Sequence, residues 1–114
     1  MSTSLNTFKS FHETLTTTEQ VIYTTPFGYT TVVLLAQAAN TSSSNGAGVT
    51  FISRDGDTST DIELVESYVI APNDAAGLLT GKLVVESGNS IVALSDTNSI
   101  VKLTISVLET LNES

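Results

Sequence analysis

The 114-residue chain has no cysteine, so disulfide staples and thiolate metal sites are excluded and the redox compartment cannot be read from it. Basic residues are nearly as scarce: four Lys plus Arg stand against 12 Asp plus Glu, a formal net charge of -8. A surface of that sign repels phosphate backbones, which argues against nucleic-acid binding and favours a basic partner surface. Charged residues make up 14% of the chain, well below the roughly 25% of an ordinary soluble domain. The longest apolar run, Val32 to Ala36, falls far short of the roughly 20 residues of a membrane-spanning helix. The opening MSTSLNTFKSF lacks the apolar h-region of a secretory signal. The expectation is a soluble chain with no membrane partner, not exported by that route. Also missing is a helical stripe, since no segment keeps apolar residues on one helix face over three turns.

In place of charge the chain carries 15 Ser and 18 Thr, and Thr with abundant Val and Ile favours pleated, half-buried surfaces. Short runs with period-two alternation recur between turn clusters. Strands are expected near Phe8–Leu15, Glu19–Thr25, Tyr29–Ala39, Gly48–Arg54, Asp61–Ala71, Lys82–Glu86, Ser90–Leu94 and Ser99–Thr110. About eight strands suit an all-β, antiparallel two-sheet sandwich, a jelly roll or related Greek key. The last strand is the clearest, with Val101, Leu103, Ile105 and Val107 on one face and Lys102, Thr104 and Ser106 on the other. The strand Tyr29–Ala39 differs, because VVLLA is apolar on both faces; it is covered on both sides or lies at a subunit contact. Turns are expected at Pro26-Phe27-Gly28, Asn40 to Gly48, Asp55-Gly56-Asp57, Ser87-Gly88-Asn89 and Asp96-Thr97-Asn98. The loop from Pro72 to Thr80 could form one helical turn near 73–79 after an Asn73 or Asp74 cap, closing one end of the sandwich. One domain over 12–114 follows an extended N-terminal arm, 1–11, which is polar with two spaced phenylalanines.

Chemistry-bearing motifs are few. Gly77-Leu-Leu-Thr-Gly81-Lys82 resembles a phosphate-binding loop, but that loop needs four residues between its glycines and Ser or Thr after the lysine, whereas Leu83 follows here. Asp55, Asp57, Ser59, Asp61, Glu63 and Glu66 mimic the ligand spacing of a calcium loop. Yet Thr60 stands where Gly is required, and strands flank the run where helices should. The bland reading is a polar hairpin, with Asp55, Asp57, Ser59, Asp61 and Glu66 kept as a weak metal candidate. His12 has no second imidazole beside it, and no serine sits in a Gly-x-Ser-x-Gly elbow. Asp55 and Asp57 lie on a hairpin tip, open to water, where a general acid would not find its raised pKa. No catalytic or cofactor-binding residue is assigned, and no cofactor or enzymatic activity is expected. There is no tryptophan. Among the aromatics, Phe8, Phe11, Tyr23, Phe27 and Tyr29 are the partner-binding candidates. Tyr23, Phe27 and Tyr29 around one turn could stack on a sugar or, the favoured reading, fold inward as a plug at the end of the sandwich.

Three segments carry a resemblance: YTTPFGYTTVVLLAQAANTSS from Tyr23, YVIAPNDAAGLLTGKLVVESGNSI from Tyr68, and the closing LTISVLETLNES. Together they resemble small virion structural proteins of tailed bacteriophages, especially marine cyanophages with contractile tails. The likeness covers most of the chain after about residue 20, and is weakest over Asn40 to Gly48 and the Asp55 hairpin. It implies a non-enzymatic particle component. The leading form is a capsid decoration, or cement, protein on the capsid exterior, assembled in the host bacterial cytoplasm. It would be a homotrimer or higher oligomer contacting the major capsid protein or other virion proteins, with the 1–11 arm expected to reach a neighbouring subunit or capsid protein. The alternative is a neck, tail, baseplate or fibre module, including one that binds a host glycan.

Overall fold

The computed structural model describes residues 6–112. Its nine strands are β1 (Asn6–Thr14), β2 (Gln20–Thr24), β3 (Tyr29–Asn40), β4 (Ala47–Asp55), β5 (Thr60–Ile70), β6 (Ala75–Gly77), β7 (Leu83–Val85), β8 (Ser90–Ser95) and β9 (Val101–Leu111). They form two antiparallel sheets. One is ordered β1-β9-β3-β6 with β7 also on β3, and the other β2-β8-β4-β5. β6 and β7 pair with opposite ends of β3, Ala39↔Ala75 to Gln37↔Gly77 and Val33↔Leu83 to Thr31↔Val85. They are two halves of one edge strand, interrupted where Leu78 to Lys82 leaves the ladder. Taken as one, they reduce the count to the eight strands expected, wound in the order of a jelly roll.

β9 organises its sheet. Val101, Leu103, Ile105 and Val107 are buried while Lys102 is exposed and Thr104 and Ser106 are half-exposed, so its period-two pattern becomes an inner and an outer face. It pairs with β1 over its whole length on one side and with β3 on the other. β3 carries one extra residue, Leu34, at a register shift between Val33 and Leu35. Facing β9 and β3 across the interior are Val49 and Phe51 of β4 and Ile91 and Ala93 of β8, all buried in one core with them. Phe51 heads the large side chains in that core that are fully buried.

The chain crosses between sheets twice at the end of the sandwich beside Val101, after β1 and after β3, and both crossings are plugged. Leu15, between β1 and β2, is fully buried, its N–H bonded to the Val101 carbonyl and its carbonyl to the Ser99 N–H. Asn40 closes the far end of β3: its amide donates to the Asn45 and Ile70 carbonyls at 2.8 and 2.9 Å, and its Oδ1 accepts from Ser42 N–H at 2.9 Å. The Asp55-Gly56 tip lies so close to the β7–β8 turn that a Cβ on Gly56 would stand 2.3 Å from the Gly88 carbonyl oxygen.

Two expectations change. Ala75 to Gly77 is a strand, and no helical turn forms near 73–79. Asp74 Oδ1 does bond the next N–H, that of Ala75, at 2.8 Å. The edge of β3 offers three ladder positions to small residues, however, and that pairing overrides local helix propensity. Leu78 still plugs the interior, buried with its N–H on the Ala36 carbonyl. Of the expected arm over 1–11, residues 1–5 lie outside the described residues, and Asn6 to Phe11 form most of β1, paired with β9 from Thr110 to Ile105.

Phe51→Ala should lower the unfolding free energy by about 3–5 kcal/mol, as large-to-small core changes do. Gly56→Ala should cost about 1–3 kcal/mol by pushing two hairpins apart, against under about 0.5 kcal/mol for Gly81→Ala, where an added Cβ meets nothing within 4 Å. Urea unfolding of the three variants measures all of these, and equal midpoints for the two glycine variants would contradict the close approach.

Candidate interaction surface

The five aromatic candidates divide into an inner and an outer set. Tyr23 is buried on β2. Phe11, on the inward register of β1, lies against it with ring centroids 5.2 Å apart and planes tilted by 41°. Phe8 and Phe27 point outward and are 74% and 95% exposed, and Tyr29 is half-buried. An aromatic plug does form, but from Tyr23 and Phe11. Phe27 is excluded because the turn that carries it is tied down on every side. Tyr29 N–H bonds the Pro26 carbonyl at 3.1 Å, Asn112 N–H the Gly28 carbonyl at 2.8 Å, and Gly28 N–H the Ser87 hydroxyl at 3.1 Å. Gly28 takes φ +86 in that turn, a conformation that glycine reaches without strain, and the ring is left in solvent. A sugar platform of Tyr23, Phe27 and Tyr29 is therefore not assembled.

Tyr23 does structural chemistry instead. Its hydroxyl donates to Glu109 Oε2 and lies 2.8 Å from Thr31 Oγ1, while Lys9 Nζ reaches Glu109 Oε1 at 3.0 Å. Thr25 Oγ1 lies 3.0 Å from both Thr31 Oγ1 and the Val85 carbonyl. Burial pushes the Tyr23 hydroxyl up to about 12, helped by the hydrogen bond to Glu109. Burial would raise the Glu109 carboxyl too, but the hydrogen bonds from Tyr23 and Lys9 outweigh it and hold the group below its ordinary range. This network joins β1, β3, β7 and β9 of one sheet to β2 of the other. Sequence reasoning missed it, although Glu109 continues the inward register of Val101 to Val107.

The calcium-like run does not converge. Asp61 is taken bidentately by Arg54, Nε to Oδ1 at 2.6 Å and Nη2 to Oδ2 at 2.9 Å, and that guanidinium holds the Asp61 carboxyl below the usual range. Asp55 Oδ1 accepts from the Asp57 N–H at 2.8 Å, while Ser59, at φ 55 in the hairpin, and Glu66 on β5 are exposed. Among the described residues no group of three His, Asp or Glu is placed to hold a metal ion. His12 lies on the outer face of its sheet, Nδ1 3.2 Å from Thr104 Oγ1. An apolar groove of about 340 Å³ is an open trough between Tyr68 on β5 and Leu78 and Leu79.

Glu109 contributes stability that is present above the ordinary glutamate pKa of about 4.3 and is lost as pH falls through its lower folded value. Tyr23 contributes stability present below pH ~10 and lost as pH rises through about 12. Melting temperature should therefore hold between about pH 5 and 9 and drop on both sides. Tyr23→Phe should cost about 1–3 kcal/mol at pH 7 by removing a buried bridging hydroxyl, and should also flatten the alkaline limb. An alkaline limb unchanged in that variant would contradict the assignment.

No protein-family model and no curated protein matches the chain. Solved structures share its fold at low identity. A chain from the acidic stable capsid structure of Helicobacter pylori bacteriophage KHP30 matches with TM-score 0.54 and 12% identity, over 96% of this chain and 90% of that one. A chain from the disulfide-linked pili that form Bacillus endospore appendages matches with TM-score 0.53 and 14% identity, over 95% and 88%. A pentameric capsid protein from metagenomic phage sequences superposes more loosely, with TM-score 0.46, 20% identity and 85% of this chain on 60% of that one. The first two establish the architecture over nearly the whole chain: an all-β, two-sheet sandwich.

Proposed function

We propose that this protein is a non-enzymatic structural component of a phage virion, and that it acts as a capsid decoration protein bound to the exterior of the shell. The observation that carries this reading is Phe27, a large apolar ring 95% exposed on a turn held by three backbone hydrogen bonds at Pro26, Gly28 and Tyr29. A rigid exposed anchor loses little conformational freedom when a partner covers it, which is how a small contact yields useful affinity. The interior supports the same reading. The buried polar side chains Thr25, Thr31, Asn40 and Glu109 hold strands together, and Ser95 accepts a turn N–H, so each of the five is engaged within the fold.

Fold likeness adds support from both capsid and appendage chains, and composition separates the two. Disulfide linkage between subunits needs cysteine at bonding distance, and this chain has none. The resemblance of its Tyr23–Ser43 and Tyr68–Ile91 segments to virion proteins favours the particle. Many copies on a repeating shell multiply a modest interface through avidity, so a weak contact around a homo-oligomer suffices for cement. The partner surface expected is basic or apolar, given the net charge of -8.

Purified chain added to shells that lack it should bind saturably and raise the melting temperature of the particle. Phe27→Ser should weaken that binding about tenfold or more while leaving the melting of the isolated chain unchanged. Copy number in native particles completes the test: hundreds support decoration, whereas about a dozen or fewer would overturn it in favour of a neck or tail ring.

A further inference from the structure

Among the described residues, the outward register of the β1-β9-β3-β7 sheet carries no acid, although acids outnumber basic residues 12 to four in this chain. Register defines that face. It includes Asn6, Phe8, Ser10, His12 and Thr14 of β1, which lie opposite Thr110, Leu108, Ser106, Thr104 and Lys102 of β9. Those β9 residues lie in turn opposite Thr30, Val32, Leu35, Gln37 and Ala39 of β3. Ser10 with Ser106, Thr14 with Lys102 and Asn6 with Thr110 bond each other across the strands at 3.0 Å, which ties down polar groups and leaves a flat, weakly charged surface. Among the described residues, Glu13 takes the inward register at the end of β1, though it is exposed there, and Glu109 is buried. The other acids stand on β5, its hairpin and the loops.

Across this face runs one apolar row, Phe8, Leu108, Val32 and Val84, in unbroken register over four strands. Phe8 is 74% exposed and Val84 57%, and Leu34 and Leu35 at the bulge beside the row are 38% and 42% exposed. The two-sided apolar character of β3 thus has cover on its inner side only. Three strands about 4.8 Å apart and about ten residues long, with the three-residue β7 beside them, present on the order of 500 Å², against the roughly 800 Å² that each partner gives to a stable interface.

We propose that a second copy of this chain covers that face. Charge selects the occupant. Two bodies at -8 repel each other, and the side bearing β5 would set acids against acids, whereas this face lets two copies meet with none between them. A two-fold axis parallel to the strands, between β9 and β3, sets Phe8 of one copy over Val84 of the other and Leu108 over Val32. The surface is therefore self-complementary, large against small, as an isologous contact requires, and twisted sheets pack in this aligned way. Such pairing gives dimers or even-numbered assemblies. It concerns the isolated chain and holds whether or not the chain sits on a capsid.

Sedimentation equilibrium of the purified chain tests it. The native chain should be dimeric or a multiple of two, with self-association tightening as salt rises from about 20 to 300 mM and screens the remaining acids. Val84→Glu should weaken the dimer by about tenfold or more. Val69→Glu, at an exposed position on β5, should leave it unchanged. Leu35→Glu repeats the test at a second position, and circular dichroism confirms that each variant is folded. A native chain that is monomeric near 1 mM, or equal loss in the Val84 and Val69 variants, would overturn the proposal. So would a monomer that binds shells through Val84, which would give the face to another protein.

Discussion

A carboxylate between two sheets is the most demanding element of this fold. Burying an ion costs several kcal/mol unless partners replace the lost water. Glu109 finds them on two other strands, the Tyr23 hydroxyl from the opposite sheet and the Lys9 ammonium from the edge strand. Those partners coincide only when β9 keeps its register against β1 while the two sheets meet in one relative position. A one-residue slip of β9 would turn Glu109 outward and bring Thr110, Leu108 and Ser106 inside. That exchanges an apolar core face for hydroxyls, so the hydrophobic pattern and the ion enforce the same register.

The opposite end of β3 is held by a neutral counterpart. Asn40 satisfies its side chain on the Asn45 and Ile70 carbonyls and the Ser42 N–H, again linking one sheet to the other. Between these two polar clasps the interior is aliphatic, with Phe51 at its centre. Buried polar groups are costly when half satisfied. Thr25, Asn40 and Ser95 sit where the chain leaves a strand, and backbone groups serve as their partners, whereas Thr31 and Glu109 lie within strands and rely on side chains.

How far the sequence discloses this depends on how local each interaction is. β9 was legible because alternation is a property of consecutive residues, and Val101 to Val107 are buried in the register read from them. Glu109 obeys the same alternation, but its acceptance inside rests on Tyr23 and Lys9, 86 and 100 residues away in the chain. The split of one edge strand into β6 and β7, and the loss of the helical turn near 73–79, were hidden for a similar reason. Both follow from the open edge of β3, which exists only after the sheet has formed. Phe27 misled because an apolar ring in a turn usually folds inward, and here the backbone bonds of the Pro26-Gly28 turn outweigh that tendency. Of the candidate contact residues, Phe8 and Phe27 are on the surface while Phe11 and Tyr23 belong to the core.

Most polar groups of the interior are engaged within the fold. Here the Tyr23, Thr25 and Thr31 hydroxyls, the Glu109 carboxylate and the Asn40 amide join strands, and of the accessible acids Asp61 pairs with a guanidinium and Asp55 accepts a turn N–H. The outer sheet face is finished with Ser and Thr pairs that bond each other across strands. Such pairs carry little side-chain entropy to lose on contact, unlike Lys or Glu. A sandwich that settles most of its own polar groups and leaves stiff apolar ones outside would lose little further order if another surface covered them.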